Sequence, residues 1–522
     1  MNQEEIKKKQ KRVMVYVMII SLICVVGVSY AFFTAGMSSE TSTTVRADAG
    51  TMKITYDGGK KINLVGIYPK DDVWATKTIT VTGNNTTDAE MYYKLTLVVD
   101  SNTFKIDDPL QYELVSTNTS TNGEIIPNIS KTDITGTSIE LGSGHFVKAN
   151  NAKHTYLLKI YYPKKATSQN ANQGAAFSAH VEITSAKAPT VINLVKAIRA
   201  NNEVKAPITT PGAAVSTASE ALLASTEDDY GTSYYFRGAV TNNYVEFANK
   251  CWRIVRVSGD GSVKLILHND NPTGVANPCD AANNSASAAF ARYSGETYKS
   301  AYNTNYNDNA YVGFKFGTVG SSTYEATHAN TNNSTILTNL EAWYNNNDNF
   351  KKYEKVIADT VWCNDKTNVT DTTYNPWNMS NVNGLGYGTN TTYYGATQRL
   401  VSKSNSAGGT GPSLKCNGEL SKIASKVGLI TADELAYAGY ADGLQNTTTY
   451  LQENATDTDW WSLSPGGFSG SFAYVCYVFG SSGSLDYCRV SDTHGVRPSI
   501  SLKSTTSVTG EGTSSSPYII SM

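Results

Sequence analysis

Tyr92-Tyr-Lys-Leu-Thr-Leu-Val-Val99 decides the fold of the first half of the chain. Successive side chains of a β-strand point to opposite faces, so this run places every second residue on one apolar face. Lys77-Thr-Ile-Thr-Val-Thr82 alternates in the same way, and its β-branched residues favour extended backbone. The pattern predicts half-buried strands rather than helices.

The same pattern continues on both sides of this run. Alternating stretches at 51–56, 154–162 and 176–183 are separated by turn-forming residues such as Asp57-Gly58. Many short strands with turns between them predict a β-sandwich domain over residues 45–187.

The second half of the chain mixes strands with helices. Gly259-Asp260-Gly261 separates two apolar runs, 251–257 and 262–268, which predicts a hairpin. Thr431-Ala-Asp-Glu434 is a capping box, in which the threonine and glutamate side chains satisfy backbone amides at a helix start. We predict an α+β domain over residues 226–503.

Two polar segments flank this predicted domain. Residues 188–225 combine a short helix, capped by Thr190, with a linker rich in Ala, Ser, Thr and Pro. Residues 504–522 are predicted to form a polar tail.

The sequence of the N-terminal segment predicts that the chain is exported from the cytoplasm. Residues 1–12 carry a basic cluster, and 13–33 are apolar apart from Ser21, Gly27 and Ser29. A helix over this run spans about 30 Å, the thickness of a hydrocarbon core. Because basic residues stay on the cytoplasmic side, we expect a single-pass transmembrane helix over 13–33 with the rest of the chain outside the cell.

A cleaved signal sequence is the alternative. Ser29 and Ala31 place small residues where a signal peptidase reads, and cleavage after Ala31 would give a secreted protein. The length of the apolar run favours retention as a membrane anchor.

Composition narrows the range of functions. The chain has 522 residues, a formal net charge of −2 and 17% charged residues. A nucleic-acid-binding protein needs a basic face for phosphates, so we expect no nucleic-acid partner. The 33 tyrosines lie among abundant Asn, Thr, Ser and Gly. This polar but uncharged composition is typical of a β-rich surface protein.

The cysteines agree with an oxidising location. All but Cys24 lie beyond the predicted membrane segment, where disulfides form. Sequential pairing is one of fifteen possible connectivities, and we favour it because each pair closes a local loop. It joins Cys251 to Cys279, Cys363 to Cys416 and Cys476 to Cys488.

Patterns for catalysis and metal binding are weak. The six histidines are scattered without a zinc-ligand spacing, and no serine lies in a nucleophile elbow. We therefore expect a non-catalytic protein without a cofactor. Residues 227–229 and 303–309 carry oxygen ligands of the kind that calcium prefers, although solvated loops are the simpler interpretation.

Aromatic residues concentrate near the C-terminus, among Ser and Gly. Such a mixture offers rigid contact area beside adaptable polar groups, and aromatic faces also stack on sugar rings. We expect about half of these aromatics to be core, Trp460 and Trp461 foremost. The candidate ligand-binding residues are Phe472, Tyr474, Tyr477, Phe479, Asp486, Tyr487, Asp492 and His494.

Two resemblances extend this interpretation. Val26-Gly-Val-Ser-Tyr-Ala-Phe-Phe-Thr34, followed by the strand pattern, resembles surface proteins of the TasA and camelysin type from Gram-positive bacteria. The resemblance covers roughly residues 10–187. It implies export, a jelly-roll-like domain and self-assembly into fibres through the sandwich.

The second resemblance covers roughly residues 226–520. Its motifs resemble a domain of surface proteins from gut-type Gram-positive bacteria, related to the C-type-lectin-like fold of formylglycine-generating enzymes and retroelement-diversified receptors. The reactive cysteine pair of those enzymes is not matched. The motifs are Cys251-Trp-Arg-Ile-Val, Val427-Gly-Leu-Ile-Thr-Ala-Asp-Glu434, Trp461-Ser-Leu-Ser-Pro465 and Gly495-Val-Arg-Pro498.

The block 469–494 resembles the variable region of those receptors. If that resemblance extends to diversification, Cys476 and Cys488 are chance products of variation rather than a disulfide pair. Beneath this block we expect Arg497 to pair with a carboxylate.

The leading hypothesis is a membrane-anchored cell-surface protein that presents a lectin-like domain to a glycan or protein ligand. One alternative is a structural subunit of an extracellular matrix or fibre. The other is a cell-wall or glycan-modifying enzyme, for which the sequence shows no nucleophile beside a base.

Overall fold

The protein forms two compact units, which meet in the chain between residues 189 and 190. Both are built mainly of β-strands, which confirms the predicted β-rich class. The predicted membrane segment, 13–33, lies outside the described residues; among those described, no helix is both long and apolar enough to cross a membrane. The computed structural model describes residues 43–48, 51–85, 90–118, 122–185, 191–271, 275, 277–293 and 296–521.

The first unit consists of two antiparallel sheets. Its described strands are β1 (Thr43–Asp48), β2 (Thr51–Asp57), β3 (Ile62–Val65), β4 (Lys70–Asn85), β5 (Met91–Asn102), β6 (Gln111–Ser116), β7 (Gly123–Glu124), β8 (Ile129–Asp133), β9 (Ser138–Phe146), β10 (Ala149–Tyr162) and β11 (Ala176–Ser185). One sheet has the strand order β1-β2-β4-β10-β6-β8, and the other has the order β3-β11-β5-β9-β7.

One hydrophobic core lies between these sheets. Ile79 of β4, Leu95 of β5 and Leu158 of β10 are fully buried within it. The hydroxyl of Tyr93 in one sheet hydrogen-bonds with Nδ1 of His154 in the other at 2.7 Å. Burial lowers the pKa of His154 to about 4, so the imidazole is neutral near pH 7. The alternation in β5 thus directs one face of the strand into a shared core.

The second unit contains more strands than the first, and it contains all of the described α-helices. Its described strands are β12 (Ile192–Asn193), β13 (Ala221–Asp228), β14 (Gly231–Gly238), β15 (Tyr244–Phe247), β16 (Lys250–Val257), β17 (Val263–Asn269), β18 (Arg292–Tyr293), β19 (Glu296–Thr297), β20 (Lys299–Ala301), β21 (Lys315–Phe316), β22 (Asn332–Asn333), β23 (Thr360–Cys363), β24 (Thr392–Tyr393), β25 (Lys422–Ser425), β26 (Trp460–Phe468), β27 (Ala473–Val478), β28 (Leu485–Arg489), β29 (Thr493–Gly495), β30 (Ser499–Leu502), β31 (Ser507–Thr509) and β32 (Tyr518–Ser521). Its described α-helices are α1 (Leu194–Asn201), α2 (Tyr324–His328), α3 (Thr335–Asn345), α4 (Asp348–Lys352), α5 (Gly395–Leu400) and α6 (Ala432–Ala438).

Two larger sheets organise this unit. The first has the order β12-β31-β32-β15-β16-β14-β13, and β17 pairs with both β16 and β30. The second has the order β20-β29-β26-β27-β28, with β24 beside β26. Residues of both sheets belong to one core, which includes Trp252, Trp460 and Trp461, each fully buried. The predicted burial of Trp460 and Trp461 is confirmed.

Two of the predicted disulfides form. Cys251 is bonded to Cys279 and Cys363 to Cys416, with Cα–Cα distances of 4.9 and 5.5 Å. Each bond closes a loop within the second unit, which restricts the unfolded chain and so stabilises the folded one.

The segment 201–219 is not the free linker that its composition predicted. Val204 forms a β-bridge with Leu223. The buried carboxylate of Glu220 accepts a hydrogen bond from the amide of Ile208 at 2.7 Å and pairs with the buried Arg237 at 2.9 Å. Composition could not show these contacts because they depend on residues that follow the segment.

The C-terminal tail also differs from its prediction. Residues 504–522 were expected to be a polar extension, but they contain β31 and β32. β31 pairs with β12, and β32 lies parallel to β15. The second unit therefore begins and ends in one sheet, where β31 lies between β12 and β32.

The prediction that Arg497 pairs with a carboxylate was wrong. Within the described part of the chain, this residue forms no ion pair and is 1% exposed. Its Nε and Nη1 atoms donate to the backbone carbonyls of Leu267 and Leu451. The guanidinium also lies over the Trp460 ring, 5.0 Å from its centroid. Arg497 therefore fixes backbone rather than balancing a charge.

A buried carboxylate joins helix α6 to the larger sheet. Oε1 of Glu434 accepts from Lys264 of β17 at 2.6 Å and from Arg256 of β16 at 2.8 Å. Its Oε2 accepts from the amide of Thr431, and Oγ1 of Thr431 accepts from the amide of Glu434. The capping box predicted from the sequence is confirmed. The same glutamate also neutralises two buried cations.

The ionisation of Glu434 follows from these contacts. Burial opposes a charged carboxylate, but the positive charges of Lys264 and Arg256 outweigh it and lower the pKa of Glu434 to about 2. The carboxylate therefore remains ionised at every pH at which the protein is expected to fold.

Replacement of Glu434 by alanine should destabilise the second unit by about 3–5 kcal/mol, because it leaves the buried Lys264 without a carboxylate partner and Arg256 with Asp228 alone. The exposed Glu419, which pairs with Lys422, is the matched control. Glu419→Ala should change stability by less than about 1 kcal/mol. Urea unfolding of the three proteins measures both effects, and equal midpoints for all three would contradict the assigned role.

Candidate functional site

The candidate residues belong to the β27–β28 hairpin and the segments next to it. β27 pairs with β26, whose residues are all buried, and β28 pairs with β27. Gly483 in the connecting turn has φ of 65°, a conformation that glycine adopts without strain. The core thus supports the hairpin through β26, and β28 carries its exposed positions.

The pairing register divides the candidates between two faces. Directly opposed residues of antiparallel strands point to the same side of the sheet. Tyr474 is opposite Arg489 on one face, whereas Tyr477 is opposite Asp486 on the other. The predicted binding residues therefore do not form a single surface.

The same register explains why the third predicted disulfide is absent. Cys476 is opposite Tyr487, and Cys488 is opposite Val475, so the two cysteines project from opposite faces. Cys476 is buried and Cys488 is half-buried, and both are free thiols. Pairing Cys476 with Cys488 was wrong because their closeness in sequence does not reveal the face on which each lies.

One face carries a row of aromatic side chains in two contact groups, which meet where Tyr474 is paired with Arg489. Tyr306 stacks on Phe472 at a ring distance of 5.1 Å, and the Arg489 guanidinium lies 3.8 Å from the Phe472 ring centre. Trp377 contacts Tyr487 at 5.0 Å and Tyr474 at 6.1 Å. Tyr306 is 40% exposed, and the other aromatic rings of the row are half-buried. We call this set the aromatic patch: Tyr306, Trp377, Phe472, Tyr474, Tyr487 and Arg489.

Hydrogen bonds and close packing hold the rings of the aromatic patch in place. The amide of Trp377 donates to the hydroxyl of Tyr393 at 3.1 Å, and that hydroxyl donates to Asn375 at 2.8 Å. A Cβ atom at Gly466 would lie 2.4 Å from the Tyr487 ring, so only glycine leaves room for it there. The patch is therefore built on a preformed support.

Tyr477 occupies the opposite face and is not accessible to a ligand. Its side chain is 6% exposed and belongs to the core. The ring stacks on His494 at 5.1 Å and contacts Phe479 at 4.9 Å. His494 also meets Trp461 at 4.6 Å. Tyr477 is thus part of the support for its half-buried neighbours, Phe479 and His494, rather than a contact residue.

Three metal-ligating side chains meet beside these rings. The Cys488 thiol donates a hydrogen bond to Oδ2 of Asp492 at 2.9 Å. Ligand atoms of Cys488, Asp492 and His494 all lie within 4.8 Å of one another. Burial and the Asp492 carboxylate raise the pKa of Cys488 to about 12, whereas burial lowers the pKa of His494. We call these three residues the Cys488 cluster.

Two carboxylates lie at the outer edge of β28. Asp442 forms a parallel bridge with Leu485, next to the exposed Asp486. Burial, together with the negative charge of Asp486, raises the pKa of Asp442 to about 7. Burial also raises the pKa of Asp486. This edge of the hairpin therefore changes charge near neutral pH.

The second unit has a charged cleft whose lining residues form ion pairs with one another. Arg399 binds Asp433 with two hydrogen bonds, at 2.7 and 2.8 Å, and Asp365 at 2.7 Å. Arg256 links Asp228 to Glu434 in the same cleft. Because these groups satisfy one another, the cleft serves to join elements of the fold. Its charged lining is Asp228, Asp229, Arg256, Lys264, Asp365, Arg399, Lys415, Asp433 and Glu434.

The loops considered for calcium use their oxygen atoms within the protein. Asp228 accepts from Arg256 at 2.9 Å, and Asp229 accepts from the amide of Cys416 at 3.0 Å. Oδ1 of Asn303 accepts from the amide of Thr335, and Oδ1 of Asn309 accepts from the hydroxyl of Tyr394. Glu227, Asp229 and residues 304–307 are exposed, so part of each segment is a solvated loop, whereas the buried members are Asp228, Asn303, Asp308 and Asn309.

Three members of the aromatic patch were not predicted. Tyr306 and Trp377 come from loops distant in sequence, and Arg489 was passed over between Tyr487 and Asp492. An isolated tryptophan in the polar loop Asn375-Pro-Trp377 was the available signal, since a tryptophan in such a loop usually packs against something. The surface it packs on could not be read from the sequence.

Comparison with known proteins adds little to this geometry. No protein-family model and no curated protein matches the chain. Among solved structures, the chain is similar to the P-domain of Macrobrachium rosenbergii nodavirus at 16% identity, covering 25% of this chain and 90% of that chain, with a TM-score of 0.13. A likeness at that TM-score carries no argument about fold or function.

The raised pKa of Asp442 predicts a pH-dependent stability. Between about pH 4 and pH 7 the folded state retains a proton that the unfolded state releases, so stability falls as pH rises through this range. Asp442→Asn removes the effect. The variant should exceed the parent in stability by at most about 4 kcal/mol at pH 8 and match it near pH 4.

Urea unfolding at the two pH values measures this difference. Asp457→Asn is the control, since Asp457 is an exposed carboxylate away from this edge. An equal gain in stability for Asp442→Asn at both pH values would contradict the conclusion that the Asp442 carboxyl group retains a proton in the folded state.

Proposed function

We propose that this chain is a bacterial cell-surface protein whose second unit binds a glycan or a protein outside the cell. Residues 13–33 anchor it in the membrane, or direct its secretion if they are removed. In the sequence, the first unit lies between the membrane segment and the binding unit. The aromatic patch is the observation that carries this proposal.

The chemistry of the patch suits a sugar ligand best. Aromatic faces pack on the apolar faces of sugar rings, and Tyr and Trp lose little conformational entropy when they do so. The Tyr306 and Tyr474 hydroxyls and the Arg489 guanidinium add hydrogen-bond donors around the rings. A glycan is therefore the first ligand class to test, with a protein partner as the second.

We further propose a lectin-like fold for the second unit, on the basis of the motifs that carry the resemblance. Residues of the motifs that carried the resemblance lie in the support of the hairpin: Glu434 joins α6 to the larger sheet, and Oγ of Ser464 in β26 accepts from the amide of Ala432 at 2.9 Å. Oγ of Ser462, also in β26, donates to the carbonyl of Cys476 at 2.7 Å. A fixed support beneath an exposed hairpin is the arrangement expected of a recognition domain.

Substitutions in the patch provide the test. Tyr306→Ala and Tyr474→Ala should each weaken binding about tenfold or more, because truncating an aromatic contact residue at a binding surface costs about 1–2 kcal/mol or more. Tyr230→Ala is the control, since Tyr230 is 60% exposed and lies outside the patch. The measurement is binding of the full chain to a glycan array and to bacterial cell-wall fractions.

The melting temperature is recorded for each variant, because the rings are partly exposed and their loss should leave the fold intact. Binding that falls equally in Tyr230→Ala, or that survives both patch substitutions, would refute the aromatic patch as the binding surface. Saturable binding to proteins of the cell-wall fraction but to no glycan would assign a protein ligand.

A further inference from the structure

The Cys488 cluster brings together three different metal-ligating groups on a fixed support. Cys488 lies in β28, which is paired with β27, and His494 lies in β29, opposite Ser300 of β20. Asp492 lies in the turn between them, where its amide donates to the carbonyl of Arg489 at 3.0 Å. The sheet therefore fixes both ends of the segment that carries the three side chains.

We propose that Cys488, Asp492 and His494 bind a zinc ion through the thiolate, the carboxylate and the imidazole. The fourth position of the tetrahedral ion holds water. This site stands independently of the proposed glycan or protein ligand, because it uses the face of the hairpin opposite to Tyr474 and Arg489.

The geometry fits zinc. Three atoms that all lie within 4.8 Å of one another have a common point no more than about 2.8 Å from each of them. Zinc takes sulfur at about 2.3 Å and nitrogen or oxygen at about 2.0–2.2 Å, so shifts below about 1 Å complete the site. One rotation of the Asp492 side chain suffices for its part, because that residue is exposed.

The choice of metal follows from the ligands. Calcium and magnesium require oxygen ligands, which a thiol and an imidazole do not supply. A sulfur, nitrogen and oxygen set is one that zinc accepts without a strong geometric preference. On binding, the Cys488 S–H bond breaks, its proton passes to solvent, and the sulfur–zinc bond forms without any change of oxidation state.

The surroundings of His494 provide a second observation. Its ring stacks on Tyr477, with an interplanar angle of 13°, and meets Trp461 edge-on. Its buried Nε2 atom has no hydrogen-bond partner among the described residues. A buried nitrogen without a partner costs stability, and an imidazole held by two aromatic rings is oriented before any ion arrives.

The site is open to solvent. Cys488 and His494 are half-buried, and Asp492 is exposed, so the Cys488 cluster lies at the surface of the second unit. An accessible fourth position distinguishes this arrangement from a closed structural zinc site with four protein ligands.

Metal titration of the full chain tests the proposal. After treatment with a chelator and dialysis, zinc alone should bind at one ion per chain, measured by elemental analysis. Cobalt alone should produce a thiolate-to-cobalt charge-transfer absorption. Zinc should also protect Cys488 from alkylation, which tandem mass spectrometry distinguishes from Cys476 in the same peptide.

Substitutions identify the ligands. Cys488→Ser, Asp492→Asn and His494→Gln should each weaken zinc binding more than about 100-fold, since loss of even an outer partner of a metal ligand costs about 10–100-fold. Cys488→Ser should also abolish the cobalt absorption. Cys476→Ala and Asp457→Asn are matched controls, a thiol on the opposite face and an exposed carboxylate elsewhere, and both should bind zinc like the parent.

Folding of the variants is checked separately. The melting temperature without metal should be nearly unchanged for Asp492→Asn, while zinc should raise it for the parent and not for this variant. Absence of the cobalt–thiolate absorption in the parent, or zinc affinity that survives Asp492→Asn and His494→Gln, would overturn the site. Neither result bears on the patch substitutions, which report ligand binding alone.

Discussion

The fold of the second unit depends on one buried carboxylate, that of Glu434. It completes the start of helix α6 through Thr431 and neutralises Arg256 and Lys264, which project from two neighbouring strands of the larger sheet. Helix α6 in turn contacts β26 through Ser464. Because a buried charge is stable only when it is fully paired, this carboxylate fixes the position of the helix between the two sheets. The sheet that supports the candidate site is placed by the same contacts.

That support explains why the hairpin has exposed candidate functional side chains on a stable backbone. β26 is buried along its whole length, and β27 follows it, so the positions open to solvent lie mainly on β28 and the adjoining turns. The alternation of a strand then separates two different surfaces. Tyr474 and Arg489 contribute to the aromatic patch, whereas Cys488 lies on the other face with His494 nearby. One short hairpin thus presents two chemically distinct sets of side chains.

Local sequence signals predicted what depends on local physics. The alternation of 92–99 gave β5, the capping box gave α6, and loop-closing spacing gave two disulfides. What failed depends on register or on distant partners: the faces of Cys476 and Cys488, the burial of Tyr477, and the packing of Trp377 on Tyr487. A one-residue change of register would reverse each face, and the sequence of a single strand does not contain its register.

The fold of the second unit therefore depends on the buried residues under the hairpin and not on its exposed side chains. The most direct test is one variant of the full chain in which four exposed residues, Tyr306, Asp486, Arg489 and Asp492, are all replaced by serine. We expect cooperative thermal unfolding within about 5 °C of the parent, since exposed substitutions change stability by less than about 0.5 kcal/mol each. A much larger fall, or loss of cooperative unfolding, would show that these exposed side chains hold the fold together, which would contradict its dependence on the buried residues.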